Sequence, residues 1–323
     1  MPQLGYSFML VSMLMKLAAS TVDEKLQVKY TTMSRSNFVE HFNDNNYPWK
    51  MKQYPNIVFT FNSNQTYFND AVRRRNSFDA LPLKKHNPAK VGPLPQNFDA
   101  REKWPNCYSI GKIYNQMLCK SCWAHSVVNT ASDRTCIHTN IAVYLSEQDL
   151  ECVHDSHYIC NGGFLTTGFN FWKEKGLVTQ DCKPYHPQSA LQRRVCEERC
   201  YYPSQSYQLD KHYAREVYQI PNDEYQIKAE IYLNGPIAAQ MKVYEDFQDC
   251  NGYGYQSGIY VHTHGQLTGS HAVRVIGYGT ENGVPYWLVA NSWSREWGED
   301  GYFRIKRFEP YVEFETLMFA GIP

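Results

Sequence analysis

All ten cysteines of this 323-residue chain lie between Cys107 and Cys250, and none precedes them. A segment without cysteine cannot be cross-linked to the rest, so the chain divides into an uncross-linked N-terminal part and a body that can carry a disulfide framework. The division coincides with LPLKKHNPAKVGPLP (81–95), where four prolines and one glycine favour extended chain over helix or sheet. A boundary near Leu94 follows, with a polar, Asn-rich segment before it.

The extreme N-terminus indicates how disulfides become possible. Tyr6 to Ala19 is a short apolar run interrupted by Lys16. It ends in Ala18 and Ser20, small residues at the spacing a signal peptidase reads, which gives a cut before Thr21. The missing Lys or Arg ahead of the run leaves a buried core helix as the other reading. Secretory entry would permit disulfides, and the sequon Asn64-Gln65-Thr66 fits that route. Composition narrows the classes further. Thirty-two basic residues balance 32 acidic ones, without the basic face that nucleic-acid binding needs. No stretch reaches the roughly 18–20 apolar residues of a membrane span.

Short helices are expected over Lys25 to Asn45 and Gln65 to Asn76, with Arg73-Arg74-Arg75 a solvated face. In the body, Ala124, Val127, Val128 and Ala131 follow the spacing of an amphipathic helix that starts at Cys122 with Ser121 as N-cap. Gly168 to Lys175 and Glu224 to Leu233 read as further helices. The last third reads as strands: Ala272 to Gly277 and Tyr286 to Ala290 are β-rich and joined by Tyr278 to Pro285, with Asn282-Gly283 in the turn. Helices followed by strands predict an α+β protein with two lobes.

The segment QMLCKSCWAH (116–125) carries the chemistry. In the first turn of its helix, Cys122 has the positive end of the helix dipole to favour a thiolate, and a thiolate beside a base is a nucleophile. Far downstream lie His271 and Asn291. Their midpoint is residue 281, so a three- or five-residue loop centred on Glu281 would place them opposite each other in a hairpin, with the amide fixing the imidazole tautomer. The Gln116 side chain can donate to an oxyanion that develops beside the Cys122 backbone N–H. Taken alone, Cys119-x-x-Cys122 also fits a disulfide oxidoreductase pair, although no βαβ pattern surrounds it. His262-x-His264 resembles a metal pair but lacks nearby carboxylates or thiols, so no metal site is assigned.

With these residues in view, the chain resembles the cathepsin B-like branch of the papain family of cysteine peptidases. The resemblance runs through LPQNFDAREKWPNC (94–107), SDRTCIHTN (132–140), ICNGG (159–163), FNFWKEKGLV (169–178), DKHY (210–213), AEIYLNGP (229–236), PYWLVANSW (285–293) and AGIP (320–323). It covers essentially the whole body, while residues 34–75, with SRSNFVEHFNDNNYPWK, are similar to that branch's pro-segment. It implies a papain-like two-lobed α+β fold, with a helical left lobe and a β-barrel-like right lobe. It also implies a signal peptide over 1–20, an inhibitory pro-segment over 21–93 and a peptidase domain over 94–323.

Carried over by position, Cys122 is the nucleophile, His271 the base and then the acid, Asn291 its orienter and Gln116 the oxyanion donor. Trp293 shields the His–Asn pair, Gly162 and Gly163 admit substrate backbone, and Leu317 floors the pocket for the side chain two positions before the cut. The implied disulfides are Cys107–Cys136, Cys119–Cys160, Cys152–Cys196 and Cys182–Cys200, leaving Cys250 unpaired. No cofactor or metal is implied. The expected partners are peptide or protein substrates and the chain's own pro-segment, and the expected location is the secretory pathway, ending in lysosome, vacuole or extracellular space.

The departures from the family are local. Met117 and Lys120 stand where it has glycines, and His125 where it has a Phe. Larger side chains there crowd the cleft or strain the loop, while Lys120 adds a charge near the thiol. A non-catalytic peptide-binding homologue is therefore the alternative function. The stretch from Cys182 to Cys196 is short and lacks the His-His dipeptide with which the branch grips a terminal carboxylate; its anion binders are His186, Arg193 and Arg194.

Overall fold

The computed structural model describes residues 23–55, 80–153, 159–186 and 196–323. The signal-peptide stretch, Asn64, the helix expected over Gln65 to Asn76, and Arg193-Arg194 lie outside these residues.

Two helices open the described chain, α1 (Glu24–Thr32) and α2 (Arg35–Asp44), followed by strand β1 (Trp49–Gln53). Local sequence starts both helices. The Asp23 carboxylate accepts from the Lys25 and Leu26 N–H groups at 3.0 and 3.1 Å, and the Ser34 hydroxyl accepts from Asn37 N–H at 3.4 Å. The body adds β2 (Phe98–Asp99), α3 (Cys122–Thr139), α4 (Leu165–Glu174), β3 (Glu216–Gln219) and α5 (Glu224–Asn234). Six strands complete it: β4 (Ile237–Tyr244), β5 (Tyr253–Tyr260), β6 (Leu267–Glu281), β7 (Val284–Ala290), β8 (Tyr302–Lys306) and β9 (Leu317–Ile322).

The class is α+β, and the strand-rich part, expected to be barrel-like, is an open mixed sheet rather than a closed barrel. The sheet runs β1-β5-β8-β7-β6-β4-β9-β3, with β2 added on β6. Its ends, β1 and β3, do not pair, so the sheet stays open. β5 and β8 are parallel, and the other neighbours are antiparallel.

The hairpin that carries the site also differs from the expected one. β6 reaches Glu281 and β7 begins at Val284, so the loop is the two residues Asn282-Gly283, both at positive φ (51° and 79°). An Asn-Gly pair tolerates that backbone, which shortens the loop and moves its centre away from Glu281. A register shift between Val275 and Gly277 then leaves Arg274 opposite Ala290. Extended by one residue, this register sets Asn291 against Val273, two residues from His271 on the same face. The two side chains therefore meet as diagonal neighbours rather than directly opposite.

Helix α3 is not amphipathic. Every residue from Cys122 to Cys136 is buried, because α4, β6 and β9 enclose it. Its two charged residues, Asp133 and Arg134, find partners from distant segments. Arg134 lies 2.9 Å from Glu230 and donates to the Pro236, Gly235 and Gly321 carbonyls, while Asp133 holds Arg274 at 2.7 Å. Ser121 does not cap the helix with its side chain; its hydroxyl pairs with Tyr185 Oη at 2.7 Å.

The N-terminal segment joins the body at two places. β1 pairs with the edge strand β5, and Phe38, Phe42 and Trp49 are buried in the same apolar cluster as Tyr255, Tyr260 and Trp297. Fully burying a side chain of this size contributes about 1.5–3 kcal/mol. Further on, Lys84 N–H donates to the Gln219 carbonyl at 3.0 Å, and His86 Nε2 lies 2.6 Å from Glu230 Oε2. At the first place His264 sits against Tyr30, Phe38 and Phe42, with ring centroids 4.7, 4.7 and 5.7 Å apart. Its neighbour Asp246 is buried and accepts from Tyr260 Oη, Thr263 N–H and His262 Nδ1. His262 and His264 thus serve separate structural contacts.

Burial holds the His264 imidazole down at about 4, against the pull of Asp246. A depressed histidine favours the folded state while neutral, so its contribution is complete above the ordinary value near 6.5 and is lost as pH falls toward 4. The loss amounts to roughly 3 kcal/mol at most. Thermal melts of the full chain should therefore show Tm dropping between pH 6.5 and 4, with a smaller drop in His264→Phe, which keeps the ring packing. Equal drops in the two proteins would contradict this assignment.

Candidate active site

Cys122, the first residue of α3, is buried (9% exposed) and borders one small pocket with Lys120, Gly162, Gly163, Gln240 and His271. Residues separated by almost 150 positions meet there because α3 packs against β6.

His271 is buried on β6, and its Nε2 lies 2.8 Å from Asn291 Oδ1. The same oxygen accepts from the Ser292 backbone N–H at 2.8 Å. A backbone N–H can only donate, so this atom of Asn291 is the oxygen and it too must accept from the ring. Nε2 therefore carries the proton and Nδ1 is the free base. Nδ1 is buried with no hydrogen-bond partner among the described residues. Trp293 stacks on the imidazole at 4.5 Å and 23°, covering the pair.

Gln116 is 1% exposed and held at both ends. Its N–H donates to the Ser292 carbonyl at 2.9 Å, its Oε1 accepts from Ser292 Oγ at 2.6 Å, and its Nε2 donates to the Cys119 carbonyl at 2.9 Å. An amide nitrogen has two protons, so one remains for another acceptor. Ser292 thereby joins Gln116 to Asn291, a link with no signal in the sequence beyond its place after Asn291. Tyr185 is another residue that sequence reasoning did not single out; its hydroxyl donates to the Gln116 carbonyl at 3.1 Å.

The glycine pair stands across the pocket. Gly162 has φ +87°, and a Cβ on Gly163 would fall 2.5 Å from the Trp123 ring, so a side chain there would displace that tryptophan. The Cys119–Cys160 disulfide ties this turn to the loop before Cys122. The other disulfides are Cys107–Cys136, Cys152–Cys196 and Cys182–Cys200, with Cys250 free and exposed. Met117 adopts φ +54°, a left-handed backbone that favours glycine, and is 56% exposed. Leu317 is wholly buried in the apolar cluster that includes Cys122, Trp172 and Phe319. Glu315 does not point free nearby: one oxygen accepts from both Trp287 Nε1 and Phe308 N–H at 2.7 Å.

The electrostatics favour a neutral resting pair. Burial pushes the Cys122 thiol up, with backbone groups of Ala272, Trp123 and Cys122 acting the other way. Burial likewise brings His271 down to about 4; Asn291 opposes this shift and His125 adds to it. Lys120 is not among the groups that move the thiol. Among the described residues, no group of three or more His, Cys, Asp or Glu side chains could hold a metal ion, and no helix is long and apolar enough to cross a membrane.

Comparison with known proteins places this geometry. Residues 94–321 match the family model described as papain family cysteine protease. The chain is 40% identical over 258 residues to cathepsin B-like cysteine proteinase 4 of Caenorhabditis elegans, covering 71% of this chain and 76% of that protein. It is 41% identical over 252 residues to cathepsin B-like cysteine proteinase 3 of the same organism, covering 71% and 66%. Among solved structures it resembles procathepsin B S9 from Trypanosoma congolense, with TM-score 0.74 and 32% identity over 90% of this chain and 98% of that one. Digestive procathepsin L 3 from Tenebrio molitor larval midgut shares the fold, with TM-score 0.62, 21% identity, and 92% and 90% of the two chains covered. The chain belongs to the papain family of cysteine proteases, and its relatives include cathepsin B-like enzymes.

Proposed function

We propose that this protein is an endopeptidase made as a secreted zymogen, with Cys122 as nucleophile and His271 as the base and then the acid. The observation that supports this most is the protonated Nε2 of His271 on Asn291, which leaves Nδ1 bare in the pocket that also holds the Cys122 thiol. When a peptide carbonyl binds, Nδ1 takes the thiol proton, sulfur attacks carbon, and the oxyanion is met by the Cys122 N–H and the spare Gln116 proton. The imidazolium then protonates the leaving amine, and water hydrolyses the thioester. Gly162 and Gly163 let the substrate backbone approach, and Trp293 keeps water from the His–Asn bond.

In this reading residues 1–20 are the signal peptide, 21–93 the inhibitory pro-segment and 94–323 the peptidase. The antiparallel β1–β5 pairing and the burial of Leu81 in the cluster of Cys122 and Leu317 support an inhibitory role. Four disulfides suit the secretory pathway, with lysosome, vacuole or extracellular space as destination. No cofactor takes part.

An epoxide or vinyl-sulfone reagent offered to the processed protein should add one mass to Cys122, and Cys122→Ala should abolish both labelling and peptide cleavage. Unlabelled Cys122 alongside tight peptide binding would instead identify a non-catalytic homologue.

Specificity follows from Leu317 and Glu315. An apolar floor cannot neutralise a buried Arg, and leaving a charge unpaired there costs several kcal/mol. Glu315 is already engaged by Trp287 and Phe308. Peptide libraries should show preference for Leu, Val or Phe over Arg two residues before the cut, and Leu317→Glu should narrow it. Equal cleavage of the Arg peptides by the parent protein would refute an apolar floor.

The short Cys182–Cys196 stretch leads to a third expectation. Without a His-His pair, a substrate's free carboxylate lacks charge-assisted hydrogen bonds of about 1.5–3 kcal/mol each. Internal cleavage of a protein substrate should therefore far outpace stepwise loss of C-terminal dipeptides. Comparable rates would mean that His186, Arg193 or Arg194 captures the carboxylate.

A further inference from the structure

The end of the N-terminal segment lies on the body at a place the proposed chemistry does not use. Gln219, on the outer edge of β3, donates its N–H to the Pro82 carbonyl at 2.9 Å and accepts from Lys84 N–H at 3.0 Å. Pro82 to Lys84 thus adds a short parallel rung to the sheet. Lys84 Nζ reaches Glu216 Oε1 at 2.6 Å and stands 4.2 Å over the Tyr218 ring. At the other end of the sheet β1 covers β5, so the N-terminal segment closes both edges.

Two residues on, α5 grips the same chain by its backbone. Gln226 Oε1 accepts from His86 N–H at 2.6 Å, and Gln226 Nε2 donates to the His86 carbonyl at 3.1 Å. One amide side chain thereby serves both backbone groups of His86, as a neighbouring strand would. The His86 ring enters beside Glu230, which is 1% exposed and also accepts from the Tyr218 hydroxyl. Arg134 at 2.9 Å keeps this carboxylate ionised against its burial. An ionised carboxylate only accepts, so His86 Nε2, 2.6 Å away, donates to it whether or not the ring carries a second proton. Tyr225 Oη ends the contact with a 3.1 Å bond to the Gly92 carbonyl, two residues before the boundary at Leu94.

This contact is remote from the cleft. In the order β6-β4-β9-β3, the edge strand lies three strands from His271, roughly 14 Å at the usual spacing. Glu230 meets α3 at Arg134, about 18 Å along the helix from Cys122. Leu81 shares the apolar cluster of Cys122 and Leu317, whereas Leu83 is 60% exposed. Pro82 and Pro88 restrict the free segment, which lowers the ordering cost of binding.

We propose that the β3 edge, Gln226 and Glu230 form a peptide-binding site outside the cleft, and that its occupant in the processed protein is the chain's own segment 82–92, retained without a covalent bond after the cut near Leu94. The inference rests on the reading of 21–93 as a removed pro-segment. Inhibition then belongs to the chain upstream of Pro82, and the clasp formed by 82–92 leaves Cys122 open. The site reads an extended backbone, a basic side chain over Glu216 and Tyr218, and a ring N–H donor two positions later.

The test uses protein folded as the full chain and then processed, with intact mass and N-terminal sequencing to locate the cuts. Native mass spectrometry should find a fragment containing 82–92 on the body, one per chain. A labelled synthetic peptide of residues 82–92 should exchange with it and bind saturably, while iodoacetamide alkylates Cys122 at an unchanged rate. His86→Ala in the peptide should weaken binding about tenfold or more, and Gln226→Ala in the protein, a partly exposed position, by a similar factor. A processed body that carries no fragment and does not bind the peptide overturns this inference alone. So does equal affinity for the parent and His86→Ala peptides, or binding that slows Cys122 alkylation in step with occupancy, which would place the peptide in the cleft. A fragment-free body that sediments as a dimer would show the vacated edge pairing with a second copy, and overturns it too. A chain that never loses 21–93 would overturn the pro-segment reading and this inference together.

Discussion

A helix enclosed on every side from Cys122 to Cys136 cannot leave a charged group there to water, and most of this structure follows from that constraint on α3. The helix must begin at the cleft, because Cys122 is its first residue, and must then run between α4, β6 and β9. Its buried charged side chains recruit partners from elsewhere. Arg134 reaches Glu230 on α5 together with backbone carbonyls near β4 and β9; Asp133 reaches Arg274 on β6, three residues beyond His271. Arg274 in turn donates to the carbonyls of Ser109, Ile110 and Lys112, so the ion pair fixes both the helix and the chain that leads to Gln116. Buried pairs of this kind add little net stability, but losing one partner costs roughly 3–5 kcal/mol. They hold the helix of Cys122 and the strand of His271 in one register.

The same enclosure explains the resting electrostatics. Burial opposes charge on both Cys122 and His271, so thiol and imidazole wait as neutral partners under Trp293. The Glu230 carboxyl shows the opposite outcome. It is equally buried, yet Arg134 and His86 hold it down at about 2 despite that burial. The difference is the supply of donors: Arg134, His86 and Tyr218 bond to Glu230, whereas only backbone groups oppose burial at the thiol. His86 belongs to the proline-rich linker, so the network that orders α3 also receives the N-terminal segment.

Much of this could be read from the residues in order, and the misses have physical causes. That Cys122, His271 and Asn291 come together was legible because their types are restrictive: a Cys at a helix start, a His and an Asn on neighbouring β-rich runs. The strands themselves were legible, but their register was not. A two-residue Asn282-Gly283 turn and the shift near Ile276 depend on backbone conformation, which alternation of side chains does not encode. The spacing of Ala124, Val127, Val128 and Ala131 correctly located one apolar face of α3. It could not show that the opposite face is buried as well, since the partners of Arg134 and Asp133 lie about a hundred residues or more away. Tyr185 gave no local signal at all.

The central claim is that a neutral thiol and a tautomerically fixed imidazole become a nucleophile and its base when a carbonyl arrives. Rapid-quench mass spectrometry of processed protein with a slowly deacylating ester substrate observes this step directly. The account predicts that one acyl group appears on Cys122 within the first turnover, at the rate of leaving-group release. Leaving-group release with no adduct on Cys122, or an adduct on another residue, would contradict it.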